Sequence, residues 1–429
     1  MRLWDKGGDL DAQVADFTVG DDPIVDLAWA AHDLVGSAAH VRVLENAGIL
    51  TNVEASQLIQ GLAALLADVR AERFVIDRSE EDVHTAIEAR LLSALGPVAG
   101  AIHTGRSRND QVLTALRLWM LDEIDAIELE WRTLAAAWLA FAANNRDVPL
   151  TGYTHLQPAM PSSYGLWAAG YAAALLDLLP LLEAARTVAD RCPLGSAAGY
   201  GTPLPLDRAL AARLLGFSAV EAPVTTPQLT RGLVESALLG ALGAATSLIA
   251  RWSWDLVLFS SAEFALVRLP DAFTTGSSIM PQKRNPDVAE LLRATAVVVR
   301  SARREIEDLV SLPGGYQRDV QLTKAPLLRG VRAGRNALRI AAHLAPHVVA
   351  TEKPQDPAIF ATAEAYRRQK PFREAYRDVA AEVRSGTFSA APGAPPAWDL
   401  DGLRARLSGA GRDRWLGWNA LVAGVKPAG

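Results

Sequence analysis

Residues 274–290, TTGSSIMPQKRNPDVAE, carry side chains that can bind and activate an anionic substrate. Ser277 and Ser278 supply hydroxyl groups, Lys283 supplies a cation and Asn285 supplies an amide. A glycine and two prolines exclude a continuous helix here. The Asn-Pro-Asp sequence is typical of a helix start, with Asn285 as its N-cap. We therefore predict a loop that closes over an anionic ligand and presents backbone N–H groups to it, the alternative being an ordinary surface connection.

Residues 102–111, IHTGRSRNDQ, form a second polar stretch just before a long helix. The guanidinium groups of Arg106 and Arg108 can each hold a carboxylate with two hydrogen bonds, and a helix N-terminus adds positive potential. The alternative is a polar loop whose arginines pair with the acidic residues 80–82, and the two arrangements are compatible. The stretch predicts a carboxylate-binding patch.

Residues 152–161, GYTHLQPAMP, place Thr154 and His155 in a turn bounded by glycine and proline. A lone histidine is most often an ordinary polar residue. A catalytic role for His155 gains support if Glu290 approaches it in the folded protein, because a carboxylate orients an imidazole and increases its basicity.

Residues 313–324, PGGYQRDVQLTK, are a further polar insertion. Its Tyr316, Arg318, Gln321 and Lys324 could face one way across a turn and line a site. A simple connection between bundle helices explains the same residues equally well, so both interpretations stay open.

Two other patterns suggest binding sites and are rejected. The glycine-rich residues 195–201 follow no predicted strand, so they do not form a nucleotide-binding fingerprint. His343 and His347 have the spacing of a metal-binding pair, but Pro346 distorts that turn and no third ligand is close in the sequence. We predict no metal site.

The composition restricts the partners and the location of the protein. The chain of 429 residues has a formal net charge of −5, which argues against a nucleic-acid partner because such proteins usually present a basic face. Cys192 is the single cysteine, so a disulfide framework is excluded and a cytoplasmic location is favoured. The N-terminal residues MRLWDKGGDLD lack the apolar segment of a secretory signal.

Helical periodicity extends over most of the chain and must position these polar stretches. We predict an N-terminal helical domain over residues 1–103, a central helical-bundle domain over 104–347 and a small C-terminal helical domain over 348–429. Of two uncharged stretches, 156–176 contains prolines, serines and a glutamine, and 236–250 is short of the roughly 18–20 residues that a membrane span needs. We expect both to be buried in a bundle or a homo-oligomer core, and not in a membrane.

The stretch GSSIMPQKRNP closely resembles the signature loop of the fumarase/aspartase superfamily. With TGRSRNDQ, GYTHLQPAMP, YQRDVQLTK and EDVHTAIE, the chain resembles the argininosuccinate lyase family over nearly its whole length. The resemblance implies an all-α, fumarase/aspartase-like fold, with a central bundle of long helices that forms the core of a homotetramer. It also implies active sites assembled from three subunits, without a metal or an organic cofactor.

The resemblance further implies reversible cleavage of L-argininosuccinate to fumarate and L-arginine, the last step of arginine biosynthesis. Ser277 matches the family's base, which acts as an alkoxide. Lys283 and Asn285 would stabilise the doubly negative aci-carboxylate that proton removal creates. His155, partnered by Glu290, would protonate the leaving nitrogen or relay a proton to it.

Other residues match positions beside the reacting atoms or on the substrate. Thr154 is a second candidate for the acid or relay, and it is also a candidate contact of the succinate end. Arg108 and Asn109 match substrate-binding positions. The positions that match residues holding the arginine end are Tyr316, Gln321 and Lys324.

One segment departs from the family pattern. Many members have a substrate-contacting serine near the N-terminus, where this chain has Gly20, Asp21 and Asp22. An acid close to a tricarboxylate would oppose its binding.

Two alternative functions stay open. One is a fumarate-releasing lyase that acts on another amine. The other is a non-enzymatic relative such as the lens crystallins, and the retained Thr154 and Ser277 argue against that second alternative.

Overall fold

The computed structural model describes residues 11–390, 393–408 and 414–423. Helices make up most of these ranges, and the strands within them form only short two-stranded pairs. The predicted all-α class is therefore confirmed.

The helices and strands follow one another with short connections. The α-helices of the described residues are α1 (Ala12–Val19), α2 (Asp22–Val25), α3 (Ala30–Asn46), α4 (Asn52–Arg70), α5 (Val83–Leu95), α6 (Arg108–Asn144), α7 (Tyr164–Asp177), α8 (Leu179–Ala189), α9 (Arg208–Leu215), α10 (Thr226–Thr230), α11 (Leu233–Phe259), α12 (Asp287–Leu309), α13 (Lys324–Leu344), α14 (Ala361–Arg367), α15 (Phe372–Ser385), α16 (Leu400–Ala405) and α17 (Trp415–Val422). The strands are β1 (Pro149–Thr154), β2 (Gln157–Ser163), β3 (Arg191–Cys192), β4 (Ala219–Val220), β5 (Val267–Arg268) and β6 (Val349–Ala350).

A bundle of long helices, α6, α11, α12 and α13, forms the centre of the fold. Helix α6 packs against α13, and α11 packs against both α12 and α13. Trp138 of α6 and Trp252 of α11 are buried between the helices, with ring centroids 5.5 Å apart in an edge-to-face arrangement. Full burial of a large apolar side chain contributes roughly 1.5–3 kcal/mol, so this core is a rigid support for the loops at its ends.

Polar side chains begin several helices as their sequences lead one to expect. Thr51 and Glu54 form a reciprocal capping box at α4, and Ser107 accepts the N–H of Asn109 at the start of α6. The predicted N-cap role of Asn285 at α12 is wrong. Its backbone is paired in both directions with Thr275, at 2.8 and 3.1 Å, which commits Asn285 to the base of the preceding loop.

Three helical stretches in the described residues are long and apolar enough to cross a membrane by length and composition alone, namely 83–103, 164–189 and 226–259. The stretch 164–189 overlaps residues 156–176, and the stretch 226–259 contains residues 236–250. The argument that these regions are too short or too polar for a membrane span is therefore not supported. In this chain all three pack on other helices, and 33%, 39% and 56% of their most apolar windows are buried.

The terminal helices are not separate from the bundle. Helix α16 packs on α6 and α7, and α17 packs on α3, α4 and α9, whereas α14 and α15 form a small cluster around Ala365, Ala375 and Val379. The division into domains at residues 103 and 347 stays a prediction.

Gly232, just before α11, provides a test of this packing. Its φ is +83°, and a Cβ atom there would overlap Val310 Cγ1 near the end of α12. We expect Gly232→Ala to lower the free energy of unfolding by about 2–5 kcal/mol, from backbone strain and overpacking together. Urea unfolding would measure the change.

Gly48→Ala is the matched control. Its φ is +70°, but nothing lies within 4 Å of the added Cβ, so only strain of about 1–2 kcal/mol is expected. Equal destabilisation by the two substitutions would show that the contact with Val310 has no energetic consequence.

Candidate active site

A cavity of ≈ 390 Å³ opens where the first residues of α6 meet the first residues of α13. It unites two of the polar stretches singled out in the sequence, residues 102–111 and 313–324. The predicted substrate-binding residues that line it are Arg108, Asn109, Tyr316, Gln321 and Lys324. Residues 313–324 therefore contribute polar side chains to a cavity, and their role in binding substrate stays a prediction.

Helix starts supply the frame of this cavity. Arg108 and Asn109 are the first residues of α6, and Lys324 is the first residue of α13, which follows a 3-10 turn over Arg318–Thr323. Helix N-termini carry partial positive charge, so both helices favour an anion here.

Arg108 is held by acids from the start of α5. Its guanidinium pairs with Asp82, and with Glu81 at 3.5 Å. Burial opposes ionisation of Asp82, but His84 and Arg108 outweigh it and lower the pKa of that carboxyl to about 2. The pairing with acids 80–82 considered from the sequence is thus present for Arg108, which still borders the cavity.

Arg106 behaves differently from Arg108. It is buried and donates to Ser37 Oγ at 2.9 Å, while its Nε and Nη2 atoms have no partner among the described residues. Arg106 also lines the cavity.

Lys324 is buried between two carboxylates. Its Nζ lies 2.8 Å from Asp22 and 2.7 Å from Asp26. Burial alone would lower the pKa of Lys324, but the two acids outweigh it and raise that pKa. Of the three residues in the segment where many family members have a serine, Asp22 lies in the cavity wall, and Lys324 offsets its charge.

His40 lies beneath the 102–111 stretch and gives a pH-dependent prediction. Its Nε2 donates to the carbonyl oxygen of Thr104 at 2.9 Å, and burial, assisted by the charge of Arg106, lowers its pKa to about 3. In the unfolded chain the His40 imidazole takes up a proton at about pH 6.5, whereas in the folded chain it stays neutral at that pH. Its contribution to stability is therefore complete above pH 6.5 and is lost as the pH falls towards 3.

As the pH falls over that interval, we expect the free energy of unfolding to decrease more steeply for the wild type than for His40→Gln. The two slopes should differ by up to about 1.4 kcal/mol per pH unit. Urea unfolding between pH 7.5 and 4.5 would measure it, the variant controlling for all other titrating groups. Parallel curves would contradict the assignment.

The loop of residues 274–286 is closed at its base by the Thr275–Asn285 pairing. Asn285 Nδ2 also donates to the carbonyl oxygen of Gly276 at 3.1 Å. Within the loop, Ser277 Oγ accepts the backbone N–H groups of Ile279 and Met280, at 3.4 and 3.2 Å. This arrangement would stabilise negative charge on Ser277 Oγ.

Thr154 and His155 lie at the tip of the hairpin formed by β1 and β2. His155 and Leu156 are both left-handed, with φ of 54° and 58°. Such a turn normally takes asparagine and glycine, and each bulkier residue there costs about 1–2 kcal/mol. Backbone strain of this kind concentrates at functional sites, which gives His155 support that its sequence context did not.

The single chain does not bring all the predicted site residues together. Among the residues that line the cavity, neither the loop residues Ser277, Lys283 and Asn285 nor the hairpin tip is present. No hydrogen bond or ion pair joins His155 to Glu290 in the described part of the chain. Their proposed partnership therefore stays a prediction.

Several residues that line the cavity were not assigned a role from the sequence. Arg231, buried between α10 and α11, is the clearest case. One signal was available, since it is the sole charged residue between residues 222 and 234, next to a glycine.

The rejected metal pair has an ordinary packing role. The rings of His343 and His347 pack on Phe273, with centroid distances of 5.4 and 4.6 Å. In the ranges that the structure describes, no group of three or more His, Cys, Asp or Glu side chains is arranged to hold a metal ion.

Comparisons with known proteins agree with this architecture. The family model described as "Lyase" matches residues 13–301. Argininosuccinate lyase of Sorangium cellulosum (strain So ce56) is 44% identical over 416 residues, which cover 95% of each chain. Argininosuccinate lyase of Stenotrophomonas maltophilia (strain R551-3) is 44% identical over 422 residues, covering 94% of this chain and 98% of that protein.

Solved structures of lower identity share the fold. An EDDS lyase in complex with formate has a TM-score of 0.74 at 22% identity, covering 97% of this chain and 90% of that one. A fumarate lyase:delta crystallin from Brucella melitensis bound to cobalt has a TM-score of 0.74 at 18% identity, covering 96% and 94%. From the family match and the nearly full-length identity, the chain belongs to the argininosuccinate lyase family, within the fumarase/aspartase superfamily.

Proposed function

We propose that this chain catalyses the reversible β-elimination of L-argininosuccinate to fumarate and L-arginine, the last step of arginine biosynthesis. The observation that carries the proposal is the 44% identity to an argininosuccinate lyase over 95% of the chain. The cavity supports it, because Arg108 and Asn109 line the same space as Tyr316, Gln321 and Lys324.

The reaction needs a site that stabilises negative charge. Removing a proton beside a carboxylate forms an aci-carboxylate dianion, which an unassisted side-chain base cannot produce in water, so electrostatic stabilisation is the main requirement. In this proposal Ser277 is the base, Lys283 and Asn285 hold the dianion, and loop N–H groups stabilise the serine alkoxide. The two N–H donors to Ser277 Oγ support that role.

The departing guanidino nitrogen must receive a proton. We assign this step to His155, oriented by Glu290, with Thr154 as an alternative acid or relay. The exposed, strained hairpin tip supports the assignment, because an imidazole presented there is accessible to a neighbouring molecule.

We further propose that the protein is a homotetramer with active sites built from three subunits. The loop 274–286 and the tip at His155 are both exposed and lie outside the cavity of their own chain. Large apolar side chains are also exposed on α12, with Leu291 and Val297 at 69% and 54%. Exposed apolar surface of this kind is usually covered by another protein molecule.

The proposed chemistry uses side chains and backbone groups alone, and we propose that it needs neither a metal nor an organic cofactor. We also propose a cytoplasmic location. Cys192 is free, and burial raises the pKa of its thiol to about 12, so it is an inert core residue.

The test is release of fumarate from argininosuccinate by the purified protein, followed by ultraviolet absorbance. Malate and aspartate serve as alternative substrates, and Ser277→Ala protein purified in the same way gives the background. Fumarate from malate or aspartate but not from argininosuccinate would assign the chain to another lyase. Inactivity towards all three would favour a crystallin-like role.

A further inference from the structure

Arg231 is a buried cation without a partner at the wall of the cavity. It is 4% exposed, and its guanidinium makes no hydrogen bond or ion pair with any described residue. Glu235, one turn along, instead accepts the Gly232 N–H at 2.7 Å. The ring of Tyr316 lies beside the guanidinium, with its centroid 5.7 Å from Cζ, and the charges of Glu235 and Asp22 favour the ionised form of Arg231.

The other arginines and the lysine of the cavity each have at least one hydrogen-bond or ion-pair partner, although Nε and Nη2 of Arg106 have none in the described part of the chain. Arg108 and Arg318 pair with acids of the α5 start, and Lys324 lies between Asp22 and Asp26. A buried guanidinium left unpaired is costly, and an anionic ligand would remove that cost. Arg231, which has no ion-pair or hydrogen-bond partner of its own among the described residues, is therefore prepared to receive a carboxylate.

Asp22 presents the opposite charge in the same cavity. Its Oδ2 contacts Lys324, but Lys324 is shared with Asp26, so two carboxylates compete for one ammonium group. Oδ1 of Asp22 accepts no hydrogen bond from the described residues. Burial raises the pKa of Asp22 to about 6, even though Lys324 opposes that rise, which marks a carboxylate short of positive charge.

We propose that Asp22 and Arg231 bind the α-ammonium and the α-carboxylate, respectively, of the arginine part of the substrate. The inference rests on the proposed lyase function and specifies how one end of its substrate is recognised. An α-amino acid carries one positive and one negative group on the same carbon, so a buried acid and a buried guanidinium in one cavity match it.

The succinate part fits this pair less well. It carries two carboxylates and no ammonium, so Asp22 would repel it. Tyr316, which lies beside Arg231, also matches a family position at the arginine end. Asp22, in the segment where many family members have a serine, is thus a specificity residue, and the concern that an acid there would oppose substrate binding does not apply at this end.

The test compares three ligands by calorimetry on the full-length protein: L-arginine, agmatine, which lacks the α-carboxylate, and 5-guanidinovaleric acid, which lacks the α-ammonium. Wild-type protein should prefer arginine to each analogue by about tenfold or more. Arg231→Gln should lose the preference over agmatine and keep that over 5-guanidinovaleric acid. Asp22→Asn should show the reverse pattern.

Two further measurements make the result decisive. Inhibition by fumarate should change less than about threefold in both variants, because neither residue is assigned to that end. Asp22→Ser, which introduces a hydroxyl in place of the carboxylate, should behave like Asp22→Asn, because the negative charge is removed. If Arg231→Gln does not fold, the Asp22 variants alone test the inference. They should lose the preference for arginine over 5-guanidinovaleric acid.

An equal loss of affinity for all three ligands, or unchanged preferences in the variants, would overturn the inference. Failure of the proposed function would look different. In that case wild-type protein would release no fumarate from argininosuccinate and would not bind arginine at all.

Discussion

Replacing Ser277 by alanine should lower kcat for argininosuccinate cleavage by at least about a thousandfold, to the background of the fumarate assay. The substitution removes the proposed base, while the backbone N–H groups of Ile279 and Met280 that bind its Oγ remain. Alanine cannot become an alkoxide, so those donors would have no charge to stabilise. Absorbance of fumarate at saturating argininosuccinate would measure the loss.

Ser278→Ala is the matched control, since it removes a neighbouring hydroxyl from the same loop. Its kcat should fall less than about tenfold, and both variants should keep the elution volume of the wild type in size-exclusion chromatography. A near-native kcat for Ser277→Ala would show that the assigned base is wrong. Equal loss in both variants would indicate damage to the whole loop.

Replacing His155 by asparagine should lower kcat by at least about a hundredfold. His155 occupies a left-handed position with φ of 54°, which asparagine tolerates better than most residues. The substitution therefore keeps the hairpin turn and removes only the imidazole. Steady-state kinetics with argininosuccinate would measure the loss.

Leu156→Asn controls for changes in the turn itself, because Leu156 has nearly the same backbone conformation, with φ of 58°. Its kcat should fall less than about tenfold. The proposed support from Glu290 can be tested by combining His155→Asn with Glu290→Gln. A shared role predicts a double variant little worse than His155→Asn, whereas fully additive losses would separate the two residues.

Part of the site could be predicted from local sequence because its chemistry is written in neighbouring residues. The loop 274–286, the turn at His155 and the polar start of α6 are each interrupted by glycine or proline and rich in side chains that bind anions. Helical periodicity around them was long and regular, which gave the all-α class. Asn285 was misassigned because its amide suits a helix N-cap and a loop base equally well, and only the pairing with Thr275 distinguishes them.

The sequence by itself therefore determined the family, the helical class and the types of chemical group available. Only the tertiary structure decided which of these groups share a cavity, since Asp22, Arg108, Arg231 and Lys324 are far apart along the chain and no local pattern links them. It also decided their charge balance: Arg108 and Lys324 are paired and Arg231 is not. The physical reason is that periodicity and capping act over a few residues, whereas pairing and desolvation of charges depend on which helix ends the packed bundle brings together.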